Sequence, residues 1–593
     1  MTLLLILALL LPADSLSEWQ DEILSRLDDE TIDRLGEEGM QQYMGLLEDL
    51  EFQTHEPSAR YRQEVMIHAD ACLSLRDGYR NRTRQRILAN KVYLGDPIHE
   101  SVRWKASYGS WKAALTADKD AGERLGNGSF TGFALWQKNA DCKILVGDYR
   151  VVLGTGLILN QNFSLGKQLM QAVFFRRPNR LTGHSSTDEY NHMRGVAAEW
   201  RWGRVRAMAF ASVLQADGRV TRDTLRTLYT DGYHRTNAEV EHARQVLLWQ
   251  GGARVAWRGD WYEVGGNVRT LVTDPLWYRS VQRYNRNYFR GRSLTSASLD
   301  WAAQRWGVKA RGETAVDDGG GLAAQAAFSL PLGEDWTTTL QGRWYANDYR
   351  SVDGSGLAES GAMQGERGLF VELDGQISRH WSAGLWIDWF KFTQPQYHIP
   401  QPSGGLDAGL QASYKRKTWS LTAQYRAKLK AKTDASTTDT EDILRYVLHS
   451  VSATALWQIL SPLRVKGIWR SRIYSQQKAG YAASWLVSGS VQWNAARHGW
   501  MTEVQATWFA APDYNARLYL SERSLRYGFL VPMLQGTGLR FSATGRLQLP
   551  LRLTLEAKYA LTEYKDTDHI GSGLQRIEGN VRHDLWLQLS HTF

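Results

Sequence analysis

The sequence of 593 residues is poor in cysteine and proline and has no long apolar segment after its first residues. Its two cysteines, Cys72 and Cys142, exclude a disulfide-rich scaffold and a zinc finger and leave a single disulfide open, and its 13 prolines exclude a collagen-like chain. After Pro12 no stretch approaches the roughly 20 consecutive apolar residues of a membrane-spanning helix. A helical membrane protein is therefore excluded. A membrane β-barrel is compatible with the mean hydropathy of −0.43, because barrel strands alternate apolar and polar residues.

Aromatic side chains are abundant, with 25 tryptophans and 26 tyrosines, which is more than a soluble core of this size needs. The formal net charge of +9 permits nucleic acid, anionic lipid or a polyanionic sugar as a partner. Arginine is concentrated in one N-terminal stretch, which is the candidate polyanion contact: Arg76, Arg80, Arg82, Arg84 and Arg86. A solvated amphipathic helical region is the plainer interpretation of the same stretch.

The first 95 residues predict two segments that precede the main domain. Residues 3–11 are apolar and are followed by small and polar residues, so we predict a signal peptide over residues 1–17, and export. In residues 18–95, leucine and isoleucine recur at steps of three and four, which predicts a small α-helical region. After export this region would be periplasmic.

From about residue 101 to residue 593 the hydrophobic period changes to two. In one segment Trp485, Val487, Val491 and Trp493 share a face, and Ser488, Ser490, Gln492 and Asn494 share the other. In a tilted strand the two tryptophans would lie roughly 19 Å apart along a membrane normal, which places one ring near each interface. Polar faces that carry Arg426, Lys428 and Lys430 would then line a lumen.

The apolar faces recur in segments of roughly 9–13 residues, separated alternately by tight turns and by long polar loops, as in transmembrane barrels. We therefore predict an all-β fold, a large transmembrane antiparallel β-barrel over residues 96–593. It should have an even number of strands, about 24 and in the range of roughly 22–26. A soluble β-sandwich also alternates and is the competing interpretation.

The C-terminal segment 580–593 is the strongest single local signal. Leu585, Leu587 and Leu589 share one face, and the sequence ends at Phe593. An amphipathic last strand that ends in phenylalanine resembles the signal read by the outer-membrane barrel assembly machinery. We predict this machinery as a partner during biogenesis and outer-membrane lipid as the surroundings of the folded barrel.

Residues 160–190 break the strand rhythm and contain the basic residues Lys167, Arg176 and Arg177. A barrel of more than about 20 strands encloses a wide interior, and large barrels carry plugs. The segment therefore predicts an insert that folds into the lumen, with an ordinary surface loop as the alternative.

The densest polar cluster spans residues 184–192 and includes His184, Asp188, Glu189 and His192. Imidazoles with carboxylates are ligand types for zinc, and serine, histidine and aspartate together suggest a hydrolase. Neighbouring residues of an extended segment point in opposite directions, however, which favours a hydrogen-bonded inward loop. We assign no catalytic residue, cofactor or metal to it.

A second acidic set lies at Asp118, Asp120 and Glu123, next to Lys119. Carboxylates at alternate positions suit Ca²⁺ by ligand type. The spacing lacks the regularity of an EF-hand, so a loop that pairs with itself is the favoured interpretation.

Several short motifs carry a resemblance. They are Lys119-Asp120-Ala121-Gly122-Glu123, Gly147-Asp148-Tyr149-Arg150-Val151, Gly154-Thr155-Gly156-Leu157 with Gly166-Lys167, His184-Ser185-Ser186-Thr187-Asp188-Glu189 with Arg194-Gly195-Val196-Ala197, Gly232-Tyr233-His234-Arg235-Thr236, and Pro402-Ser403-Gly404 with Asp407. Over about residues 40–430 this set resembles a family of exported Bacteroidota proteins commonly described as helix-hairpin-helix domain-containing. Many of them resemble a competence DNA-uptake protein in their N-terminal part. Between residues 18 and 95 this sequence has no tandem glycine hairpin, so the N-terminal module is degenerate and DNA binding does not carry over.

Together these features predict an outer-membrane β-barrel of a Gram-negative, Bacteroidota-like bacterium that acts as a pore, a transporter or a docking scaffold. A periplasmic protein is a candidate partner. One alternative is a component for nucleic-acid handling that uses the basic N-terminal stretch. A second alternative is an outer-membrane hydrolase that uses residues 184–192. We expect no enzyme activity and no cofactor.

Overall fold

The computed structural model describes residues 61–80, 92–138, 141–162, 174–175, 180–433, 443–478, 480–495 and 499–593, and the single positions 32, 44, 49, 52 and 53. The predicted signal peptide 1–17 lies outside these residues.

The described residues form a closed antiparallel β-barrel with 24 strands in its wall. The strands are β1 (Arg62–Cys72), β2 (Ile98–Tyr108), β3 (Trp111–Lys119), β4 (Ser129–Lys138), β5 (Cys142–Val151), β6 (Met193–Trp202), β7 (Val205–Ala216), β8 (Val246–Arg258), β9 (Tyr262–Trp277), β10 (Gly291–Arg305), β11 (Val308–Asp317), β12 (Leu322–Leu332), β13 (Trp336–Tyr345), β14 (Glu366–Gln376), β15 (Trp381–Phe392), β16 (Gly404–Lys415), β17 (Trp419–Thr433), β18 (Ile443–Leu460), β19 (Leu463–Gln476), β20 (Gly480–Ala495), β21 (Trp500–Ala511), β22 (Gly536–Leu549), β23 (Leu553–Tyr564) and β24 (Val581–Thr592).

Each wall strand pairs with its neighbour in sequence, and β1 pairs with β24 to close the barrel, with Glu64 opposite Thr592 and Cys72 opposite Asp584. Three short strands at the rim, Leu181–Gly183, Gly218–Val220 and Thr224–Leu228, extend the same sheet. Two separate two-stranded pairs lie in connections, Leu518–Tyr519 with Met533–Leu534 and His569–Ile570 with Ile577–Glu578.

The helices with defined bounds are short and lie in connections. They are α1 (Asp77–Arg80) and α2 (Asn237–His242), with 3-10 turns at Leu125–Asn127, Arg283–Asn285, Tyr514–Ala516, Pro550–Arg552 and Gly573–Gln575. Within the described part of the chain, no helix has the length and apolar character needed to cross a bilayer.

The connections differ between the two ends of the barrel. At one end they contain two to four residues, as at 109–110, 203–204 and 550–552. At the other end they include the long segments 152–192, 217–245, 346–365 and 512–535. Short turns at one end and long loops at the other are typical of outer-membrane barrels. We call the two ends the short-turn rim and the long-loop rim.

Side chains alternate between the outside and the inside of the wall as the sequence predicts. In β20, Trp485 and Trp493 are 43% and 37% exposed on the outer face. The inward Ser488 and Ser490 are buried. In β24, Leu587 and Leu589 likewise point outward. This arrangement excludes the β-sandwich, in which the apolar face would be buried between two sheets.

The prediction of a helical region over residues 18–95 is wrong for residues 62–72. Residues 62–72 form β1, in which His68 faces inward and Ile67 is exposed on the outer face. The wall therefore begins well before residue 96. Because β1 starts at the short-turn rim, its end at Cys72 and the following Arg76 lie at the long-loop rim.

The described positions that precede β1 contact the inside of the barrel and do not form a separate domain. Asp49 and Gln53 are helical positions and are 1% and 7% exposed. Lys105 of the inner wall lies 3.5 Å from the Asp49 carboxylate, and Lys112 donates to the backbone carbonyl of Gln53 at 2.8 Å. These positions therefore lie inside the barrel.

The lipid-facing assignment predicts the effect of a charge at mid-strand. Val487 lies near the middle of β20 and is half-exposed on the outer face. We expect Val487→Arg to lower the free energy of unfolding by about 2–4 kcal/mol, measured by denaturant titration of the refolded chain in lipid vesicles. Val487→Leu is the control and should change it by less than about 0.5 kcal/mol. Equal stability of Val487→Arg and wild type would show that this face contacts water.

Candidate functional site

The connection between β5 and β6, which contains the predicted insert 160–190, folds into the barrel in its described parts. Leu153, Leu157 and Leu159 are completely buried there. They pack against inward residues of the wall such as Ala315 and Ala323 on β11 and β12. We call residues 152–192 the first insert. Lys167, Arg176 and Arg177 lie outside the described residues.

The glycine motif at residues 154–157 docks the first insert on β11. The Glu313 carboxylate accepts hydrogen bonds from the backbone amides of Thr155 at 2.6 Å and Leu157 at 3.2 Å and from the Thr155 hydroxyl at 2.8 Å. Arg311 donates to the carbonyl of Gly154 at 2.8 Å. Gly154 has a φ of +58°, which turns the backbone around the carboxylate.

A second long connection, residues 346–365, covers the first insert from the side of the long-loop rim. Tyr349 donates to the carbonyl of Leu157 at 2.9 Å, and Asn160 donates to the carbonyl of Ser355 at 2.9 Å. Arg269 on β9 bonds both Asp353 of this connection and, at 3.2 Å, the carbonyl of Ile158. The two connections and the wall therefore form one hydrogen-bonded unit.

His184, Asp188 and His192 of the cluster at residues 184–192 are buried and engaged in contacts with the surrounding chain. Asp188 pairs with Arg150 at 3.1 Å and accepts the amide of Asn191 at 2.9 Å. The His184 and His192 rings stack with centroids 4.5 Å apart. Burial, together with the charge of Arg150, lowers the pKa of His184 well below its usual value, so this imidazole is neutral.

The geometry of this cluster does not form a hydrolase triad. Ser185 donates to the Asp49 carboxylate, whereas His184 Nε2 lies 2.8 Å from the backbone oxygen of Asp188. A triad needs a hydrogen bond from the serine hydroxyl to one imidazole nitrogen and a hydrogen bond from the other imidazole nitrogen to the carboxylate. The inward, hydrogen-bonded loop is the interpretation that these contacts fit.

Glu189 lies apart from His184 and His192, against the connections 120–128 and 217–245. Burial raises the pKa of Glu189 to about 8, although His234 opposes this shift. Burial alone would lower the pKa of His234, but Asp217, whose carboxylate lies 2.7 Å from His234 Nε2, raises it to about 9. Burial also raises the pKa of Glu123, whose carboxylate accepts the His234 amide. These groups join neighbouring connections at the rim.

The connection 512–535 forms a second insert on the other side of the lumen. Its Leu518 and Leu520 are buried against Leu486 and Phe509 of the wall. Glu522 of this insert pairs with two wall cations, Arg540 at 2.6 Å and Lys558 at 2.9 Å. Burial opposes the ionisation of Glu522, but these two cations hold its pKa down to about 2. The second insert is therefore fastened by charge as well as by apolar contacts.

A cavity of about 390 Å³ lies between the second insert, the connection 393–403 and the inner faces of β17, β18 and β19. Six cationic side chains line it, with four tyrosines: Arg426, Lys428, Lys430, Lys432, Arg472 and Arg517, and Tyr397, Tyr446, Tyr474 and Tyr514. No acidic side chain is among its lining residues in the described part of the chain. We call it the basic cavity.

Contacts around the basic cavity hold its lysines in place. Lys428 and Lys430 lie 2.8 Å and 3.1 Å from the same carboxylate, Glu359. Lys432 donates to the Tyr474 hydroxyl at 3.2 Å and to the Asn515 side-chain oxygen at 2.9 Å. The sequence shows part of this site as the alternating lysines of β17, but it does not show that β19 and the second insert join them.

The candidate polyanion contact is not assembled by the described residues. Arg76 forms a backbone bridge with Ile577, and Arg80 is the last residue of α1. Arg82, Arg84 and Arg86 lie outside the described residues, so contact with nucleic acid stays a prediction.

The 24-stranded closed topology and the two connections that fold inside the wall define a large outer-membrane-type β-barrel. No protein-family model and no curated protein matches this chain. The chain is similar to the siderophore receptor PirA from Pseudomonas aeruginosa, with 9% identity, a TM-score of 0.43 and coverage of 91% of this chain and 82% of that one. It is also similar to the ferripyoverdine receptor of that organism's outer membrane (10% identity, TM-score 0.40, coverage 91% and 72%) and to PirA from Acinetobacter baumannii (6%, 0.44, 91% and 81%). At these values nothing about their ligands carries over to this chain.

The glycine motif predicts a matched pair of variants. A Cβ at Gly154 would lie 2.3 Å from Glu313 Oε1, whereas a Cβ at Gly203 would contact nothing within 4 Å. The two glycines have almost the same φ, +58° and +57°, so alanine costs the same backbone strain at both. We expect Gly154→Ala to speed tryptic cleavage within the first insert by about 10-fold, because cleavage follows the population of the released insert. Gly203→Ala should leave the rate unchanged, and equal rates for both variants would contradict the docking.

Proposed function

We propose that this protein is a gated passage for an anionic solute across the outer membrane of a Gram-negative bacterium. The observation that carries the proposal is the basic cavity, which lies inside the wall beside the second insert. The proposal refines the general prediction of a pore or transporter. It replaces the docking-scaffold interpretation, which needs no internal cavity.

The filling of the lumen supports a gate. A wall of 24 strands encloses an interior too wide for its own side chains to fill, and an unfilled barrel of this size would be a permanently open channel. Here the two inserts are connections of the chain itself, each joined to the wall at both ends, and Asp49 and Gln53, which precede β1, also lie inside the wall. Such an insert is able to move aside and return without leaving the protein.

The contacts of the second insert also support movement. Its Glu522 is bound by Arg540 and Lys558. Buried ion pairs fix one geometry but add little net stability, because desolvation cancels much of the attraction. If the insert moves out, water is able to solvate all three charges. The closed state is therefore specific without being strongly favoured.

The lining of the basic cavity supports an anionic solute. Lysine and arginine side chains attract anions, and arginine bonds carboxylate and phosphate with two parallel hydrogen bonds. The tyrosines Tyr446, Tyr474 and Tyr514 offer hydroxyl donors and ring faces beside these cations. A carboxylate- or phosphate-bearing solute matches this combination.

A conductance experiment tests the gate. The refolded wild type in a planar bilayer should show no large steps, because both inserts occupy the lumen. Replacement of residues 513–534 by a short glycine-serine linker should produce steps about 10-fold larger, as expected for a wide barrel without its filling. Heat-modifiable gel migration confirms that the variant still forms a barrel. Large steps in the wild type would contradict a closed resting state.

The same opened variant tests the preference for anions. In a KCl gradient its reversal potential should indicate chloride selectivity, because the cations of β17 raise the local anion concentration. Adding Lys430→Glu and Lys432→Glu should shift the reversal potential toward potassium selectivity. Lys417→Glu, an exposed residue in the turn 416–418 at the opposite rim, is the control and should change it little. Cation selectivity before any lysine is changed would contradict the proposal.

A further inference from the structure

A cluster of histidine and aspartate side chains lies on the inner wall at the long-loop rim. It is formed by His68 and Asp70 on β1, His99 on β2, Asp118 on β3, and Asp120 directly after β3. The antiparallel pairing of β1 with β2 places Asp70 opposite His99. The pairing of β2 with β3 places Asp118 opposite Ser101, which follows His99 by two residues and lies on the same face of β2. Three strands that are separate in sequence therefore present ligand-type side chains at one height of the wall.

His99 is the centre of this cluster and uses both ring nitrogens. Its Nδ1 lies 2.6 Å from an Asp70 carboxylate oxygen, and its Nε2 lies 3.1 Å from an Asp118 carboxylate oxygen. Asp70 is held from its other side by His68, whose Nε2 is 3.0 Å from the same oxygen. The ring of His99 is thus fixed, with Nε2 directed toward Asp118.

One ligand atom each from His99, Asp118 and Asp120 lies within 4.8 Å of the other two. Three donor atoms at such separations are able to surround one ion at coordination distances of about 2.0–2.2 Å after small side-chain rotations. Asp70 then does not bind the ion itself but accepts the hydrogen bond from His99 Nδ1. A carboxylate that accepts the second N–H of a metal-binding histidine fixes its tautomer and strengthens it as a ligand.

Asp120 supplies an independent observation that a cation is needed here. Its carboxylate accepts no hydrogen bond and makes no ion pair among the described residues, although Asp118 and Glu123 are its acidic neighbours. The nearby cations are engaged elsewhere. Lys119 Nζ lies 2.9 Å from Asp96, and Arg235 pairs with Glu239 at 2.9 Å. A partly buried carboxylate among other carboxylates is costly without a counter-ion.

We propose that His99 Nε2, Asp118 and Asp120 bind a divalent first-row transition ion, with Asp70 as the outer partner of His99. One imidazole with two carboxylates suits zinc and its neighbours better than calcium, which takes oxygen ligands alone. With three protein ligands the ion keeps an open position for water or for a ligand from outside. The site is separate from the basic cavity, which lies on β17–β19.

Zinc titration of the full-length chain in detergent tests this site. After treatment with EDTA and its removal, isothermal titration with Zn²⁺ should show one equivalent bound, and Ca²⁺ should not compete at equal concentration. Asp70→Asn should weaken zinc binding about 10–100-fold, and His99→Gln and Asp120→Asn at least as much. Co²⁺ in place of Zn²⁺ should give a visible absorption band that the Asp120→Asn variant lacks.

Asp120→Asn is the decisive variant, because Asp120 lies outside the strands and its carboxylate makes no hydrogen bond, within the described residues, that folding would lose. Asp568→Asn is the matched control. Asp568 forms an exposed aspartate–histidine pair with His569 at 2.7 Å on another connection of the same rim, and its loss should leave zinc binding unchanged. The proposal is overturned if the wild type binds no zinc, in which case His99 only bridges two carboxylates. It is also overturned if Asp120→Asn binds zinc as tightly as the wild type.

Discussion

The pairing of β1 with β24 is the constraint on which the rest of this molecule depends. A strand edge in hydrocarbon leaves amides and carbonyls without partners, at a cost of several kcal/mol for each group, so a membrane sheet has to close. The pairing of Glu64 with Thr592 through to Cys72 with Asp584 provides that closure. It also fixes which residues face inward, because a shift of one residue would turn every side chain of the strand to the other side.

Closing 24 strands leaves an interior too wide for the wall side chains to fill. The two inserts occupy part of this interior, and each is attached to the wall in a different way. In the first, the wall supplies the charge, and the insert wraps its backbone amides around Glu313. In the second, the insert supplies the charge, and wall cations surround Glu522. In both cases one buried carboxylate fixes the position, because an arrangement that removes its partners without exposing it to water would leave a buried, unpaired charge. Polar docking of this kind gives each insert one defined position and keeps the inserts compatible with water.

Much of the fold is readable from the sequence, since a period of two that is repeated over hundreds of residues is compatible with few folds. The segment from Trp485 to Trp493 shows both faces and both interfaces directly. β1 is harder to recognise, although its Ile67 and His68 alternate correctly, because it follows a segment with helical spacing. The strand count is predicted correctly, whereas the signal peptide and the helix-hairpin-helix resemblance stay predictions that nothing in the described residues tests.

The sites were harder to predict, because their partners meet only through the barrel register. The sequence identifies His184 and Asp188 by density alone, but Arg150, which pairs with Asp188 and makes the cluster structural, is distant in the chain. Similarly, Asp118 and Asp120 are visible as acidic residues, whereas His99 reaches them through the pairing of β2 with β3. Composition thus indicates ligand types, and only the register decides which of them meet.

The position of the basic cavity follows from how far each insert reaches across the lumen. The first insert crosses from β5 to its contacts on β9, β11 and β12, where Arg269, Glu313 and Gln325 bind it. The second covers β19 and β21–β23 and extends to β1, where its Arg526 pairs with Glu64 at 3.0 Å. In the described part of the chain, the second insert reaches β17 where Asn515 accepts a hydrogen bond from Lys432, and a cavity is left beside this contact. The cations of β17 therefore border a cavity together with Arg472 of β19, and in our proposal they attract an anionic solute there.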